Sequence, residues 1–216
     1  MKRSVFFAEL IGTMVLSASI LGSGMMATGI TDNGGVQLII VMLGTVLALG
    51  LLIATLGPIS GAHFNPAVSL ISFLTKEIKA GVAALMVLTQ VVGAILGAII
   101  ANLMYGHSAL ESASHERTGS ALFFSEIIAT AGLLFVILAM SNVGKSSGHF
   151  WAVPAWIGSA YFFTSSTTFA NPAVTFARAF SDSYAGIALS SVGLFVIAQL
   201  IGALVGLGAS KLVLKK

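Results

Sequence analysis

The sequence predicts an all-α membrane protein: six transmembrane helices plus two re-entrant half-helices, arranged as an inverted repeat. Three observations carry this. The 216 residues hold only ten Lys and Arg and seven Asp and Glu, 8% of the chain. Six long apolar runs are separated by short polar breaks. Two shorter apolar runs open on the same letters, Asn65-Pro66-Ala67-Val68 and Asn171-Pro172-Ala173-Val174.

A water-soluble surface needs about a quarter to a third charged residues. Here 57% of residues are apolar and the mean hydropathy is +1.03. Soluble enzymes, nucleic-acid binders and disordered chains are excluded on that ground. The net charge of +3 then reports membrane topology rather than affinity for nucleic acid. Cysteine is absent, which excludes disulfides, thiolate catalysis and Cys-ligated zinc. Nothing in the sequence calls for a metal or another cofactor.

A spanning helix needs about 20 mostly apolar residues. The six candidates run from about Ser4 to Met26, Gly35 to Leu56, Ala80 to Tyr105, Ser120 to Ser141, Gly148 to Thr164 and Ala185 to Val213. The runs are continuous rather than alternating, which argues against a β-barrel. Met1-Lys2-Arg3 precedes the first run with no clear cleavage site, so that run reads as a retained span. With the N-terminus in the cytoplasm, Lys2, Arg3, Lys76, Lys79, Lys145, Lys211, Lys215 and Lys216 share that side, and only Arg117 and Arg178 fall outside. This is the positive-inside bias, and it places both termini in the cytoplasm of a prokaryotic inner or plasma membrane.

The two remaining runs, Asn65 to Leu74 and Asn171 to Phe180, are each about 15 Å long as helices. That is half a bilayer. The halves of the chain also match elsewhere: Ala8-Glu9-Leu10-Ile11-Gly12-Thr13 against Ser125-Glu126-Ile127-Ile128-Ala129-Thr130, and Gln90-Val91-Val92-Gly93-Ala94 against Gln199-Leu200-Ile201-Gly202-Ala203. Residues 1–216 therefore form one transmembrane channel domain, its first repeat about 1–107 and its second about 119–216. Three spans per repeat is an odd number, so the second copy sits inverted. Inverted repeats with interrupted helices at the midplane mark transport proteins.

A helix that begins inside the bilayer leaves backbone N–H groups without partners, at several kcal/mol each. Asn caps such a start with its side-chain oxygen, and Pro at the first helical position has no N–H to lose. Inversion brings the two starts, with their positive dipole ends, face to face. Each Asn amide is then expected to offer its NH₂ to a lumen. Such a lumen suits a neutral hydrogen-bonding solute, repels cations and interrupts a proton wire. The expected activity is passive passage of water and small uncharged solutes, without catalysis. The alternative is a proton-coupled secondary transporter using Glu9 or Glu126, since carboxylates inside apolar spans require partners.

The segment Ser60-Gly61-Ala62-His63-Phe64-Asn65-Pro66-Ala67-Val68, together with the second Asn-Pro-Ala, resembles the signature of the major intrinsic proteins, the aquaporins and aquaglyceroporins. The resemblance covers nearly the whole chain. It implies an aquaporin-like fold, a pore in each subunit of a homotetramer, loop anchoring by Glu9 and Glu126, and a pore-lining role for His63. Gln90 and Gln199 are expected to help anchor the loops. Gly93-xxx-Gly97 and Gly202-xxx-Gly206 read as close-packing contacts between helices. His107 and His115 read as solvated loop residues, and His149 opens the fifth span.

The chain departs from the family's pattern at the outer filter. Most aquaporins carry Arg directly after the second Asn-Pro-Ala, where this sequence has Val174. Arg178 follows about 6 Å further out. It lines the outer vestibule, pairs with Asp182 or snorkels to the interface. Thr45 falls where water-selective members carry an aromatic residue, and Thr168 fits the loop contribution. For the fifth span Phe163 and Thr164 are candidates, with Ser159 possible by spacing. A filter of this composition is expected to be wider and less cationic. The stretch Phe169 to Ile187 resembles a prokaryotic branch partly associated with arsenic-resistance operons, which suggests glycerol-like polyols or neutral metalloid hydroxides such as arsenous acid as solutes.

Overall fold

A computed structural model describes residues 2–214; Met1, Lys215 and Lys216, used above in the topology, lie outside the described residues. The chain forms eight α-helices among these residues: α1 (Arg3–Ile30), α2 (Gly34–Ser60), α3 (Pro66–Leu74), α4 (Ala80–Met104), α5 (Ser120–Asn142), α6 (His149–Phe163), α7 (Pro172–Ala177) and α8 (Leu189–Val213). Five of them are long and apolar enough to cross a membrane. The fifth predicted span, α6, has 15 residues, about 22 Å of helix.

Two boundaries differ from the sequence reading. The second half-helix ends at Ala177 and gives way to a 3-10 turn over Arg178–Phe180, from which the Arg178 side chain reaches back to the Ala185 carbonyl. The last span begins at Leu189 rather than near Ala185. Its predicted first turn is instead a loop bonded to the connection between the repeats: Ala188 N–H donates to the His115 carbonyl at 2.7 Å.

The repeat is visible in the packing. Helix α1 lies against α4, and its counterpart α5 lies against α8. Both contacts depend on glycine. A Cβ at Gly93 would overlap the Leu10 carbonyl oxygen, and one at Gly202 would overlap that of Ile127. Glycine at these positions lets backbone touch backbone, as small residues do between membrane helices. The half-helices α3 and α7 enter from opposite ends and meet inside the bundle, where Ala67, Val68, Ala173 and Val174 join the core.

The end that carries the start of α1 and the close of α8 also carries the α3–α4 and α5–α6 connections. The far end carries the loops 105–119 and 181–188, which are tied together. Glu111 N–H donates to the Phe180 carbonyl at 3.1 Å and Ala113 N–H to that of Ala179 at 3.0 Å. The Ser114 backbone N–H and hydroxyl both donate to Asp182 Oδ1 at 2.9 Å. These two bonds hold the Asp182 carboxyl below the usual carboxylate range. A depressed value means that the tie stabilises the folded loop above about pH 4 and is lost as pH falls through the folded value. Hydrogen exchange at the Ser114 amide is expected to accelerate over that acidic window, and in Asp182→Ala at every pH above it. Exchange independent of both changes would refute the tie.

Candidate pore

Glu9 and Glu126 build the same scaffold twice. Glu9 Oε1 accepts from the Ser60 hydroxyl at 2.6 Å and the His63 N–H at 3.0 Å, and its Oε2 accepts from the Phe64 N–H and the Gln90 amide, both at 2.7 Å. Glu126 Oε1 accepts from the Phe169 N–H at 2.9 Å, and its Oε2 from the Ala170 N–H at 2.9 Å and the Gln199 amide at 2.7 Å. The same two amides reach the half-helices, Gln90 donating to Ser69 Oγ and Gln199 to Thr175 Oγ1. In each repeat the two residues before the Asn donate to the Glu. This extended donor set suits a carboxylate that only accepts.

With their amides committed, the loops take unusual backbone geometry. Phe64 and Ala170 have φ of 49° and 46°, the left-handed region that costs a non-glycine residue about 1–2 kcal/mol. Their carbonyls are thereby available to the opposite repeat. Asn65 Nδ2 donates to the Ala170 carbonyl at 2.7 Å, and Asn171 Nδ2 to the Phe64 carbonyl at 2.8 Å. The side-chain oxygens cap the half-helices: Asn65 Oδ1 accepts from Ala67 N–H at 2.9 Å, and Asn171 Oδ1 from Ala173 N–H at 3.1 Å and Val174 N–H at 3.3 Å. The expectation that each amide is wholly free for the lumen is therefore corrected. One N–H of each crosses to the other repeat, and one remains.

A cavity of about 640 Å³ runs along these groups. Asn65, Asn171 and His63 border it, with Glu77 and His149 on the terminus side. His63 is held by serines of the first re-entrant segment, Nδ1 lying 3.0 Å from Ser69 Oγ and Nε2 3.4 Å from Ser72 Oγ. Thr45, Tyr161, Thr168, Val174 and Arg178 border the same cavity. Pro66, Ala67, Pro172 and Ala173 do not border it. They are buried where α3 and α7 start, and they set the half-helices rather than the lumen.

The fifth-span candidates require correction. Phe163 is 53% exposed on the outside of the bundle and packs edge-on against Trp156 at 5.6 Å. Thr164 is buried beside the lumen without bordering it; its hydroxyl donates to the Ala160 carbonyl and lies 2.9 Å from Thr168 Oγ1. The residue that faces the cavity is Tyr161, whose hydroxyl is 3.0 Å from Thr45 Oγ1. A lone phenol in an otherwise apolar run was the available signal. Helical phase chooses Tyr161, because α6 ends at Phe163 and turns that side chain away.

Arg178 also has a definite place. It neither snorkels nor pairs with Asp182, which is bonded to Ser114. It is 3% exposed, donates from Nε to the Ala185 carbonyl, and stacks on Phe169 with Cζ 3.3 Å from the ring centroid. Val174 leaves the first turn of α7 without a cation, yet Arg178 supplies one at the cavity's far end. The expectation of a less cationic filter is corrected to that extent.

Two inverted copies of one unit, with capped half-helices meeting across a continuous cavity, define a membrane channel. The family model described as Major intrinsic protein matches residues 2–170, ending one residue before the second Asn-Pro-Ala. The chain belongs to the major intrinsic protein family. It is 40% identical over 208 residues to aquaglyceroporin AqpS of Rhizobium meliloti, spanning 96% of this chain and 89% of that one. It is 28% identical to aquaporin Z of Rhodopseudomonas palustris, over 95% of this chain and 91% of that one. The aquaglyceroporin from Plasmodium falciparum has the same fold, with a TM-score of 0.70 at 22% identity, covering 97% of this chain and 96% of that one.

Proposed function

We propose that this channel passes water together with larger uncharged, hydroxyl-bearing solutes, of the class of glycerol or a neutral metalloid hydroxide such as arsenous acid. The carrying observation is Val174 bordering the cavity where most family members place Arg. Thr45 and Thr168, also on the cavity, leave space and offer hydroxyls. The free amide N–H groups of Asn65 and Asn171 orient a solute oxygen at the midplane, and the two half-helix dipoles disfavour cations there. Flux follows the solute gradient alone. We place both termini in the cytoplasm of a prokaryotic plasma membrane, which the distribution of Lys residues supports, and four copies in a homotetramer, as the family resemblance implies. The far mouth is then the outer one.

The test is stopped-flow swelling of proteoliposomes in water, glycerol, urea and arsenous acid gradients. Passage of water alone would sink the proposal, and flux that requires a pH gradient would favour coupled transport. Val174→Arg is expected to lower glycerol flux by about tenfold and water flux much less, because one extra group in a narrow pocket discriminates by about 1–3 kcal/mol. Equal loss of both would remove Val174 from the filter.

A further inference from the structure

The far mouth holds two guanidiniums against a single aromatic ring. Arg178 stacks on Phe169 at 3.3 Å, and Arg117, from the loop before α5, approaches it at 5.1 Å. Successive carbonyls fix both side chains. Arg178 Nε donates to Ala185, Arg117 Nε to Gly186 at 3.1 Å, and Arg117 Nη2 to Tyr184 at 3.4 Å. Phe169 in turn is anchored through its own N–H to Glu126. The two cations are thus preorganised before anything binds.

Neither has a counter-ion. The one pair of opposite charges within bridging distance among the described residues is His107 with Glu111. Asp182 is bonded to Ser114, and the oxygens of Glu126 accept from Phe169, Ala170 and Gln199. A buried cation without a paired anion is costly; Arg178 is buried, and half-buried Arg117 stands beside it. The Nη groups of Arg178 find no protein acceptor among the described residues, yet they are not sealed from solvent. A cavity of about 110 Å³ opens beside them, bordered by Arg117, Arg178, His115, Tyr161 and Tyr184. It has room for about four waters. Partial burial and then the two guanidiniums push the His115 imidazole below its ordinary range, against the opposing carboxylate of Asp182.

We propose that this small cavity is a binding site for a small monovalent oxyanion of the carboxylate class, held between Arg117 and Arg178 at the far mouth. The guanidinium fork presents parallel N–H donors at the spacing of two carboxylate oxygens. Stacking on Phe169 uses only the face of Arg178, and with Nε committed to Ala185 the two Nη groups are left for that purpose. The site is separate from the midplane asparagines and does not require that the anion pass through.

The experiment uses the purified full chain in detergent micelles with acetate as probe and acetamide as its uncharged isostere. Saturation-transfer NMR on the probe methyl protons reads binding directly, so the outcome does not depend on whether the channel reading above holds. Saturable transfer to acetate is expected, with acetamide at least about tenfold weaker. Arg178→Gln is expected to weaken acetate by at least about tenfold, and Arg178→Lys to keep part of the affinity. Equal binding of acetate and acetamide overturns the proposal. So does unchanged acetate binding in a folded Arg178→Gln variant. Thermal unfolding checks the fold of each variant, and where Arg178→Gln does not fold, Arg117→Lys and the wild-type comparison of the two probes decide.

Discussion

Replacing Glu126 by Leu is expected to lower the melting temperature of the purified protein by about 10 °C and to abolish solute flux. The change strips the acceptor from Phe169 N–H, Ala170 N–H and the Gln199 amide together. All lie at membrane depth, where water does not replace it. Removing one partner from a buried charged network costs about 3–5 kcal/mol. The loss also frees the loop that holds Asn171 and Phe169, so the lumen and the far-mouth arginines loosen with it. Glu126→Gln keeps one accepting oxygen and is expected to lose less. Melting and flux of Glu126→Leu indistinguishable from wild type would show that the loop is held by something else. Glu9→Leu is the mirrored experiment, with the Ser60 hydroxyl as a further orphan.

Gly202→Val is expected to be comparably damaging through a different cause. A Cβ there meets the Ile127 carbonyl and then the Thr130 side chain, so the α5–α8 contact must open along its length. Overpacking of this kind costs about 1–3 kcal/mol, and more where the obstacle is backbone. Gly193 on the same helix is the internal control, for an added Cβ there meets nothing within 4 Å. Gly193→Ala is expected to be neutral or to gain up to about 1 kcal/mol of helix propensity. Thermal unfolding of the two variants side by side checks the prediction; equal melting temperatures would dismiss the close approach as unimportant.

The architecture was legible because its signals are coarse and doubled. Charge scarcity, apolar run length and the repeated Asn-Pro-Ala each constrain a whole element, and the structure places the half-helix starts at Pro66 and Pro172. The midplane asparagines were legible for the same reason, since capping is local chemistry. The far mouth was not. Tyr161 rather than Phe163 faces the lumen because of helical phase near a helix end, which one or two residues of boundary error invert. Arg117 was read only as a topology charge, since its meeting with Phe169 joins loops from distant parts of the chain. Arg178 was left between three places because its contact with Ala185 depends on a 3-10 turn that no residue pattern announced. Nor did spacing reveal that the Asn amides bond across the repeats.

That crossing bond sets a schedule for biosynthesis. The carbonyl that receives the Asn65 amide belongs to Ala170, 105 residues later in the chain. At about 5–20 residues per second, roughly 5–20 s pass between synthesis of the first half-helix and synthesis of its partner. During that interval the Glu9 scaffold alone must hold the first loop within the bilayer. The pore closes around its midplane only when the second copy arrives. A ribosome stalled between the repeats therefore leaves half a channel that has every residue of its own motif and no lumen.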